Sequence, residues 1–435
     1  NELIFCGAGA WDDIYGSKLG KPDMEKSTLQ AGGLPLNIPA RALTLAPWDD
    51  HVRQRKAWAY PFSNTALLGQ EQLVQVYVDK LIANLHILAA EDKPVNMAAW
   101  LTHCTFDIIG ELCFAEPFGC LDSGKATDWS ESVVNIANAG TYEQAMRRVA
   151  GVNTWLQRTM AKWLMPTKYS IWRQLHFTQS REKTLRRIAD KDREHKDFIY
   201  YVFKNAESES SLSELEIVMN TALFTAAGSD TTALFLTAWV NLMLRNPGSY
   251  QKLVKEIRGA IKSADNITWA TVKDLLYLGA VISETFRSCA PVPTNLCRTV
   301  PVGGAFIDGN WVPGGTTVSV SPWAATHTGL NWDQPLSFIP ERWLKDEEHR
   351  FPCDKKKASQ PFSYGPRGCI GKNLANIEQR LIISHLIFHF DIEALGGEYQ
   401  VANEQWSLDD DMGHLKAYLV WEKPPLWVRL KKVVR

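Results

Sequence analysis

Apolar residues recur every three to four positions along most of the chain. This spacing predicts amphipathic helices over residues 50–58, 69–90, 97–113, 249–264 and 272–288. Between residues 291 and 320, short alternating segments separated by Gly-Gly and Asp-Gly-Asn turns predict a small β region. The expected fold class is therefore mainly α with a smaller β region.

One predicted helix is unusually long and is apolar on nearly all sides. It starts after Ser213, where Glu216 completes a capping box, and it stops at Asn246-Pro247-Gly248. A helix of this kind must cross a large core. Its centre nevertheless carries Asp230 and Thr231, and polar groups are costly to bury unless they are paired or used.

Composition and charge exclude several classes of protein. The chain has 435 residues, of which 45% are hydrophobic and 22% are charged, and its formal net charge is -1. No linker or repeat divides it, so we expect one domain over residues 1–435. The charge balance gives no field that would attract nucleic acid. Eight scattered cysteines without a CxxC pair indicate reduced thiols in a compartment that faces the cytosol.

The strongest local feature is the segment from Phe362 to Gly371, in which three glycines surround Cys369. A helix is predicted to begin at or just after the cysteine, and free N–H groups at a helix N-terminus stabilise a thiolate. Glycines also let the backbone approach a flat macrocycle. A phosphate-binding loop is excluded, because Pro366 and Asn373 stand where that motif needs glycine and a hydroxyl. A buried structural cysteine is the alternative.

The same segment resembles the haem-binding signature FxxGxRxCxG of the cytochromes P450. The matching positions are Phe362, Gly365, Arg367, Cys369 and Gly371, and Ser363 stands where many members have glycine. The resemblance implies the cytochrome P450 fold, an α-helical core around haem b with small β-sheets. It also implies Cys369 as the metal ligand, Phe362 near the sulfur and Arg367 near a haem propionate.

Further motifs are similar to those of the family and occur in the same order. Glu284 and Arg287 resemble its ExxR helix, and Arg342 resembles the downstream arginine that completes a structural network. His51 and Arg55 match the WxxxR element with histidine in place of tryptophan. Arg298 resembles the arginine that follows the ExxR helix. The resemblance implies that His51, Arg55 and Arg298 bind the propionates with Arg367, although each alone could be a solvated charge.

The centre of the long helix, residues 227–232, resembles the AGxDTT motif of oxygen activation. The resemblance implies that the helix loosens there, that Thr231 contacts dioxygen and that Asp230 relays protons. The alternative is a threonine bonded to its own helix and a paired aspartate. His385 and His389 could suggest a metal pair, but no carboxylate accompanies them, so we interpret them as packing residues.

As a whole, the chain is similar to microsomal P450 monooxygenases of filamentous fungi that act in secondary metabolism. The resemblance implies a lipophilic substrate, electrons from NADPH through NADPH–cytochrome P450 reductase, and cytochrome b5 as an optional donor. It further implies a position on the cytosolic face of the endoplasmic reticulum membrane, held by an N-terminal anchor that precedes Asn1. A peroxygenase, a coupling enzyme, an isomerase or dehydratase, and a haem sensor or carrier remain alternatives.

Overall fold

The structure is a computed structural model that describes residues 1–17, 23–30, 40–190, 194–204, 211–407 and 415–434. Within these ranges, the α-helices are α1 (Ala10–Tyr15), α2 (Trp48–Ala59), α3 (Asn64–Ala90), α4 (Met97–Phe114), α5 (Cys120–Ser123), α6 (Asp128–Ala150), α7 (Trp155–Leu164), α8 (Thr167–Ala189), α9 (Phe198–Lys204), α10 (Glu214–Arg245), α11 (Pro247–Ala260), α12 (Trp269–Val272), α13 (Leu276–Ser288), α14 (Pro322–His327), α15 (Lys372–His389) and α16 (Gln400–Glu404).

The strands are short and form three separate sheets. They are β1 (Glu2–Phe5), β2 (Glu25–Lys26), β3 (Val95–Asn96), β4 (Arg298–Thr299), β5 (Ala305–Ile307), β6 (Asn310–Val312), β7 (Thr317–Val320), β8 (Phe390–Ala394) and β9 (Trp427–Lys432). The first sheet has the order β1-β7-β4-β2, in which β1 and β7 are parallel. The others are the antiparallel sheet β3-β9-β8 and the hairpin β5-β6. The prediction of a mainly α fold with a smaller β region is confirmed.

Most predicted helices are present, and the differences lie at their ends. The capping box between Ser213 and Glu216 begins α10 as predicted. Helix α3 begins earlier than its apolar pattern suggested, because Ser63 accepts a hydrogen bond from the N–H of Ala66 and caps it. The helix predicted over residues 272–288 begins later, at Leu276, as α13, and the short helix α12 ends at Val272.

Helix α10 crosses the core and packs along α4, with α8, α13 and α15 also in contact with it. Most of its side chains are buried. Gly228 lets the two long helices come close together, since a Cβ at this position would lie 2.9 Å from Cδ1 of Ile109 in α4. This glycine therefore has a role in the packing of α10 against α4.

Helix α3 is the helix among the described residues that is long and apolar enough to cross a membrane. Val74, Leu81 and Leu85 on this helix are buried in the large hydrophobic core. A core helix meets the same criteria of length and hydropathy.

Candidate functional site

Three charged side chains form the network that their sequence motifs predict. Arg287 and Glu284 of α13 pair at 2.9 Å between Nη2 and Oε1, and Arg342 Nε lies 3.3 Å from the same oxygen. Arg342 also pairs with Asp354 at 2.5 Å. All four side chains are almost fully buried. Because an unpaired buried charge is costly, this network fixes α13 against the segment that carries Arg342.

The loop that carries Cys369 is a tight turn closed by its own backbone. The N–H of Cys369 donates to the carbonyl of Phe362 at 2.8 Å, and the N–H of Gly368 donates to that of Gly365 at 2.9 Å. Gly365 has a φ of 72°, and a Cβ there would lie 1.9 Å from the carbonyl oxygen of Tyr15 in α1. Glycine is therefore required where the loop meets α1.

The environment of Cys369 combines accessibility with burial. The residue is exposed, yet burial among protein atoms raises the pKa of its thiol. The residue is therefore accessible to a ligand, although protein atoms surround its thiol. The backbone N–H groups of Gly371 and Lys372 and the charge of Arg55 oppose the rise of the pKa. They favour a thiolate, although α15 begins at Lys372 and not at the cysteine itself.

The predicted neighbour Phe362 packs its ring against Phe286 of α13, with 5.0 Å between the ring centroids. The ammonium of Lys372 lies 6.0 Å from the centroid of the same ring. The position of Phe362 near the sulfur stays a prediction that rests on the shared turn.

Five basic side chains cluster beside the cysteine loop, and they are Lys26, His51, Arg55, Arg298 and Arg367. Burial, followed by repulsion from the neighbouring cations, lowers the pKa of His51 to about 4 and that of Lys26 to about 7. Burial also lowers the pKa of Arg298 to about 10. Arg55 joins the cluster to the loop, because its Nη1 donates to the carbonyl of Gly368 at 2.7 Å.

This cationic cluster has no carboxylate paired with it among the described residues. Asp23 and Glu25 act on Arg367 electrostatically without forming a salt bridge. Arg367 instead donates twice to the carbonyl of Ala46 at 3.1 Å, and its buried Nε has no partner in the described part of the chain. The buried Nδ1 of His51 also has no hydrogen-bond partner among the described residues. Concentrated buried charge of this kind calls for an anionic ligand, and the two propionates of a haem fit it.

Lys26 is a member of the cluster that the sequence motifs did not identify. It lies in a segment that the sequence shows only as rich in turns. In the structure, β2 pairs with β4 in an antiparallel register that places Lys26 directly opposite Arg298. A strand pairing of two residues leaves no recognisable pattern in the sequence.

The centre of α10 borders an opening. Ala227 is exposed and Thr231 is partly exposed, although the residues around them on this helix are mostly buried. The hydroxyl of Thr231 donates to the carbonyl of Ala227 at 2.7 Å. The helix is continuous from end to end, so the predicted loosening is not visible as a break. The geometry of the alternative, a threonine bonded to its own helix, is thus present.

Asp230 points away from this opening and is paired. Its carboxylate forms a salt bridge with Lys423, and both side chains are buried. Lys423 also donates to the hydroxyl of Thr102 in α4 at 3.0 Å. No sequence motif indicates Lys423, because it lies in the C-terminal tail, far along the chain from α10.

Glu378 of α15 is a second buried carboxyl beside α10 that the motifs did not identify. Burial raises the pKa of Glu378 to about 8, and a hydrogen bond to Thr232 partly opposes this shift. An uncharged carboxyl therefore contacts α10 one residue from Thr231. No sequence pattern separates Glu378 from an ordinary polar residue of α15.

The two histidines of α15 pack within the protein. The rings of His385 and His389 are stacked at 6.0 Å, and His389 Nδ1 lies 3.1 Å from His86 Nε2 of α3. In the described ranges, no group of three histidine, cysteine, aspartate or glutamate side chains could hold a metal ion.

Comparisons with known proteins agree with this arrangement. The family model named Cytochrome P450 matches residues 38–410. Cytochrome P450 monooxygenase aba2 of Botryotinia fuckeliana (strain B05.10) is 52% identical over 100% of this chain and 82% of its own length. Cytochrome P450 monooxygenase ABA2 of Pyricularia oryzae (strain 70-15) is 46% identical over 100% and 83%. Cytochrome P450 monooxygenase astJ of Aspergillus oryzae is 35% identical over 99% and 83%. The chain therefore belongs to the cytochrome P450 family of haem-dependent monooxygenases.

Proposed function

We propose that this chain inserts one oxygen atom from dioxygen into a lipophilic substrate of secondary-metabolite type, by hydroxylation, epoxidation or further oxidation. The electrons come from NADPH through NADPH–cytochrome P450 reductase, with cytochrome b5 as an optional donor. The observation that carries the proposal is the cationic cluster, which has no carboxylate partner among the described residues, beside an accessible Cys369. Residues 1–435 act as one catalytic domain.

The residues of the site divide into those that hold haem and those that serve its distal side. Cys369 binds the iron, and Lys26, His51, Arg55, Arg298 and Arg367 neutralise the propionates. Haem, when bound, supplies the activation of dioxygen, and a thiolate ligand favours cleavage of the O–O bond. The N–H groups of Gly371 and Lys372 hold the sulfur as a thiolate.

Thr231 and Asp230 serve the distal side in this proposal. The hydroxyl of Thr231 borders the opening and can exchange its bond to Ala227 for one to dioxygen. Asp230 lies on the neighbouring face of α10 and supplies protons. Positioned proton transfer typically contributes about 10²–10⁴-fold to rate.

The segments expected to contact the substrate are residues 290–296, 224–231 and 415–420, which are mostly apolar. Two of them are tied together, since the hydroxyl of Thr294 donates to the carbonyl of Leu419 at 3.1 Å. Ala226 and Ala227 leave room beside α10. These features support a lipophilic substrate.

The thiolate assignment is tested by the spectrum of reduced protein with carbon monoxide. We expect the red-shifted Soret band of a thiolate-ligated haem, and Cys369→Ala should abolish it. Cys353→Ala, at another exposed cysteine, is the matched control and should keep the band. A band that survives in Cys369→Ala contradicts the assignment.

Turnover separates the proposed reaction from its alternatives. A monooxygenase forms product only with NADPH, dioxygen and a reductase, whereas a peroxygenase works with peroxide alone, and a sensor or carrier does not turn over. Thr231→Ala should keep the haem spectrum and consume NADPH, but release peroxide in place of product. If Thr231→Ala forms one product per NADPH, either substrate hydroxyls perform the task of Thr231 or the chain does chemistry other than dioxygen activation.

The enzyme acts at the cytosolic face of the endoplasmic reticulum membrane in this proposal. Helix α7 supports a membrane contact, because Trp155, Trp163 and Leu164 are exposed at 76%, 77% and 58%. The surrounding stretch, residues 144–181, contains lysines and arginines but no aspartate or glutamate. Exposed tryptophans within a basic amphipathic segment are typical of a surface that binds an anionic bilayer.

A further inference from the structure

Asp230 is tied to the C-terminal segment by a buried ion pair. The side chains of Asp230 and Lys423 are only 8% and 7% exposed, and Lys423 also donates to Thr102 at 3.0 Å. A charge pair this deep is costly to desolvate and is strongly destabilising when one partner is removed. Because the pair is buried, it does not contribute to solubility at the surface. Its position at the centre of α10 therefore indicates another role.

Lys423 is held in place by the fixed backbone on both sides of it. The indole of Trp406 donates to the carbonyl of Pro424 at 3.0 Å, and that of Trp421 donates to Ala290 at 2.9 Å. The N–H of Met97 donates to the carbonyl of Leu426 at 2.9 Å. The ammonium group is thus brought to Asp230 by a rigid segment.

The ion pair lies in the wall of a cleft that reaches the surface. This cleft has a volume of about 340 Å³ and is lined by α4, α6 and the segment around Lys423. Glu422 and Pro425 form an exposed part of its lining, while Asp230 and His103 form a buried part. Burial and the charge of Lys423 lower the pKa of His103 to about 4, so this histidine is neutral near pH 7.

The two sides of α10 therefore have different surroundings. Successive residues of a helix project about 100° apart, since one turn contains 3.6 residues. Asp230 contacts the cleft, and Thr231 borders the inner opening next to Ala227. A carboxylate in this position stands between solvent and the distal side of the haem site.

We propose that Lys423 is the positioning residue of the proton relay, and that this cleft is the inlet for protons. The inference rests on the proposed oxygen chemistry. A proton from water in the cleft binds the Asp230 carboxylate and displaces its bond to Lys423. Asp230 then passes one proton towards Thr231, and the regenerated carboxylate pairs with Lys423 again. One proton is carried inward, and no electron moves.

Loss of the ammonium group should trap the relay in one state. A buried carboxyl without a cationic partner favours its neutral form. Lys423→Gln keeps hydrogen-bond donors for Asp230 and Thr102 but removes the charge. Lys423→Arg keeps the charge. Lys431→Gln, at an exposed lysine of β9 that pairs with Glu393, is the matched control.

The first measurement is infrared spectroscopy of the ferric, haem-loaded protein, which needs no turnover. The difference between Lys423→Gln and Lys423→Gln/Asp230→Asn should contain the absorption of a protonated carboxyl. The difference between wild type and Asp230→Asn should contain a carboxylate instead. A protonated Asp230 in the wild type overturns the proposal, and this result does not depend on whether Lys423→Gln folds.

The second measurement is product formed per NADPH consumed, with the solvent deuterium isotope effect. Lys423→Gln should lose roughly 10²-fold in product formation, the lower end for positioned proton transfer, and show a larger isotope effect. Lys423→Arg should restore most of the product formation, and Lys431→Gln should stay close to wild type. Unchanged product formation in Lys423→Gln overturns the proposal. A wild type without NADPH-dependent product refutes the proposed function instead, and the infrared result still tests the ion pair.

Discussion

At the scale of single residues, positive charge is the dominant feature of the site. His51 and Lys26 have their pKa values lowered to about 4 and about 7 because they are buried among other cations. The family motifs identified four members of the cluster, since each sits at a fixed distance from a recognisable pattern. The motifs did not identify Lys26, because its position in the cluster depends on the pairing of β2 with β4.

The cluster predicts how tightly haem is held. Arg298→Leu and Arg367→Leu each remove one cationic partner of the propionates, which costs about 1–3 kcal/mol for a buried charged group. Haem dissociation should therefore become roughly 5- to 150-fold faster, at 1.4 kcal/mol per factor of ten. Transfer of haem to an excess of an apo-globin measures this rate.

Arg350→Leu, at an exposed arginine, is the control for both variants and should leave haem dissociation unchanged. Lys26→Met should accelerate it in the same direction. Equal dissociation rates for wild type, Arg298→Leu and Arg367→Leu would show that these cations bind something other than haem.

Ser363 predicts a stabilising substitution within the cysteine loop. It has a φ of 59°, in the left-handed region that favours glycine, and its buried hydroxyl has no partner among the described residues. Ser363→Gly should raise the free energy of unfolding by about 0.5–1 kcal/mol, because relief of strain exceeds the entropy cost of glycine. Denaturant titration of the haem-loaded protein measures the difference.

Ser359 provides the matched control for that substitution. It lies four positions earlier in the same region and has an ordinary φ of −94°. Ser359→Gly should therefore lower the free energy of unfolding by about 0.5–1 kcal/mol. A destabilised Ser363→Gly would mean that the serine makes a contact that compensates for its backbone conformation.

At the scale of elements, the sequence predicted more of the helices than of their contacts. Helix α10 was predictable because its capping box and its Asn-Pro-Gly stop are local signals. The packing of Gly228 on Ile109 was not, since it depends on how α4 crosses α10. The partner of Asp230 was also beyond prediction, because Lys423 lies far along the chain and reaches α10 only by tertiary packing.

The network around α13 predicts a large loss of stability when it is broken. Glu284 accepts from both Arg287 and Arg342, and also from the indole of Trp343 at 2.8 Å. Glu284→Ala leaves buried arginines without this carboxylate and should lower the free energy of unfolding by about 3–5 kcal/mol. Denaturant titration or failure to accumulate as haem protein would report this loss.

The control for the network is an ion pair of similar geometry on the surface. Glu347 and Arg350 pair at 2.8 Å, with side chains 37% and 53% exposed. Glu347→Ala should cost less than about 1 kcal/mol, because water and salt screen exposed pairs. Similar losses in the two variants would contradict a buried network that fixes α13.

At the scale of the whole molecule, the exposed apolar residues are not evenly spread. Helix α7 presents Trp155 and Trp163 to solvent at 76% and 77%. The β5-β6 hairpin presents Phe306 and Trp311 at 63% and 56%, but Asp308 lies between them, whereas residues 144–181 around α7 contain no aspartate or glutamate. The two surfaces have similar apolar character and differ in charge. A comparison of the two therefore distinguishes binding to an anionic membrane from nonspecific hydrophobic binding.

Binding to vesicles should depend on α7 and on lipid charge. A fully buried aromatic side chain contributes about 1.5–3 kcal/mol, so Trp155→Ser/Trp163→Ser should weaken binding to phosphatidylcholine–phosphatidylserine vesicles by at least about tenfold. Lys162→Glu should weaken it further at low salt, because a charge near an anionic surface acts within the screening length.

The control variant Phe306→Ser/Trp311→Ser should bind as wild type does. Co-sedimentation of the haem-loaded protein measures these affinities. If the hairpin variant loses as much binding as the α7 variant, or if pure phosphatidylcholine binds equally well, α7 is not the membrane surface.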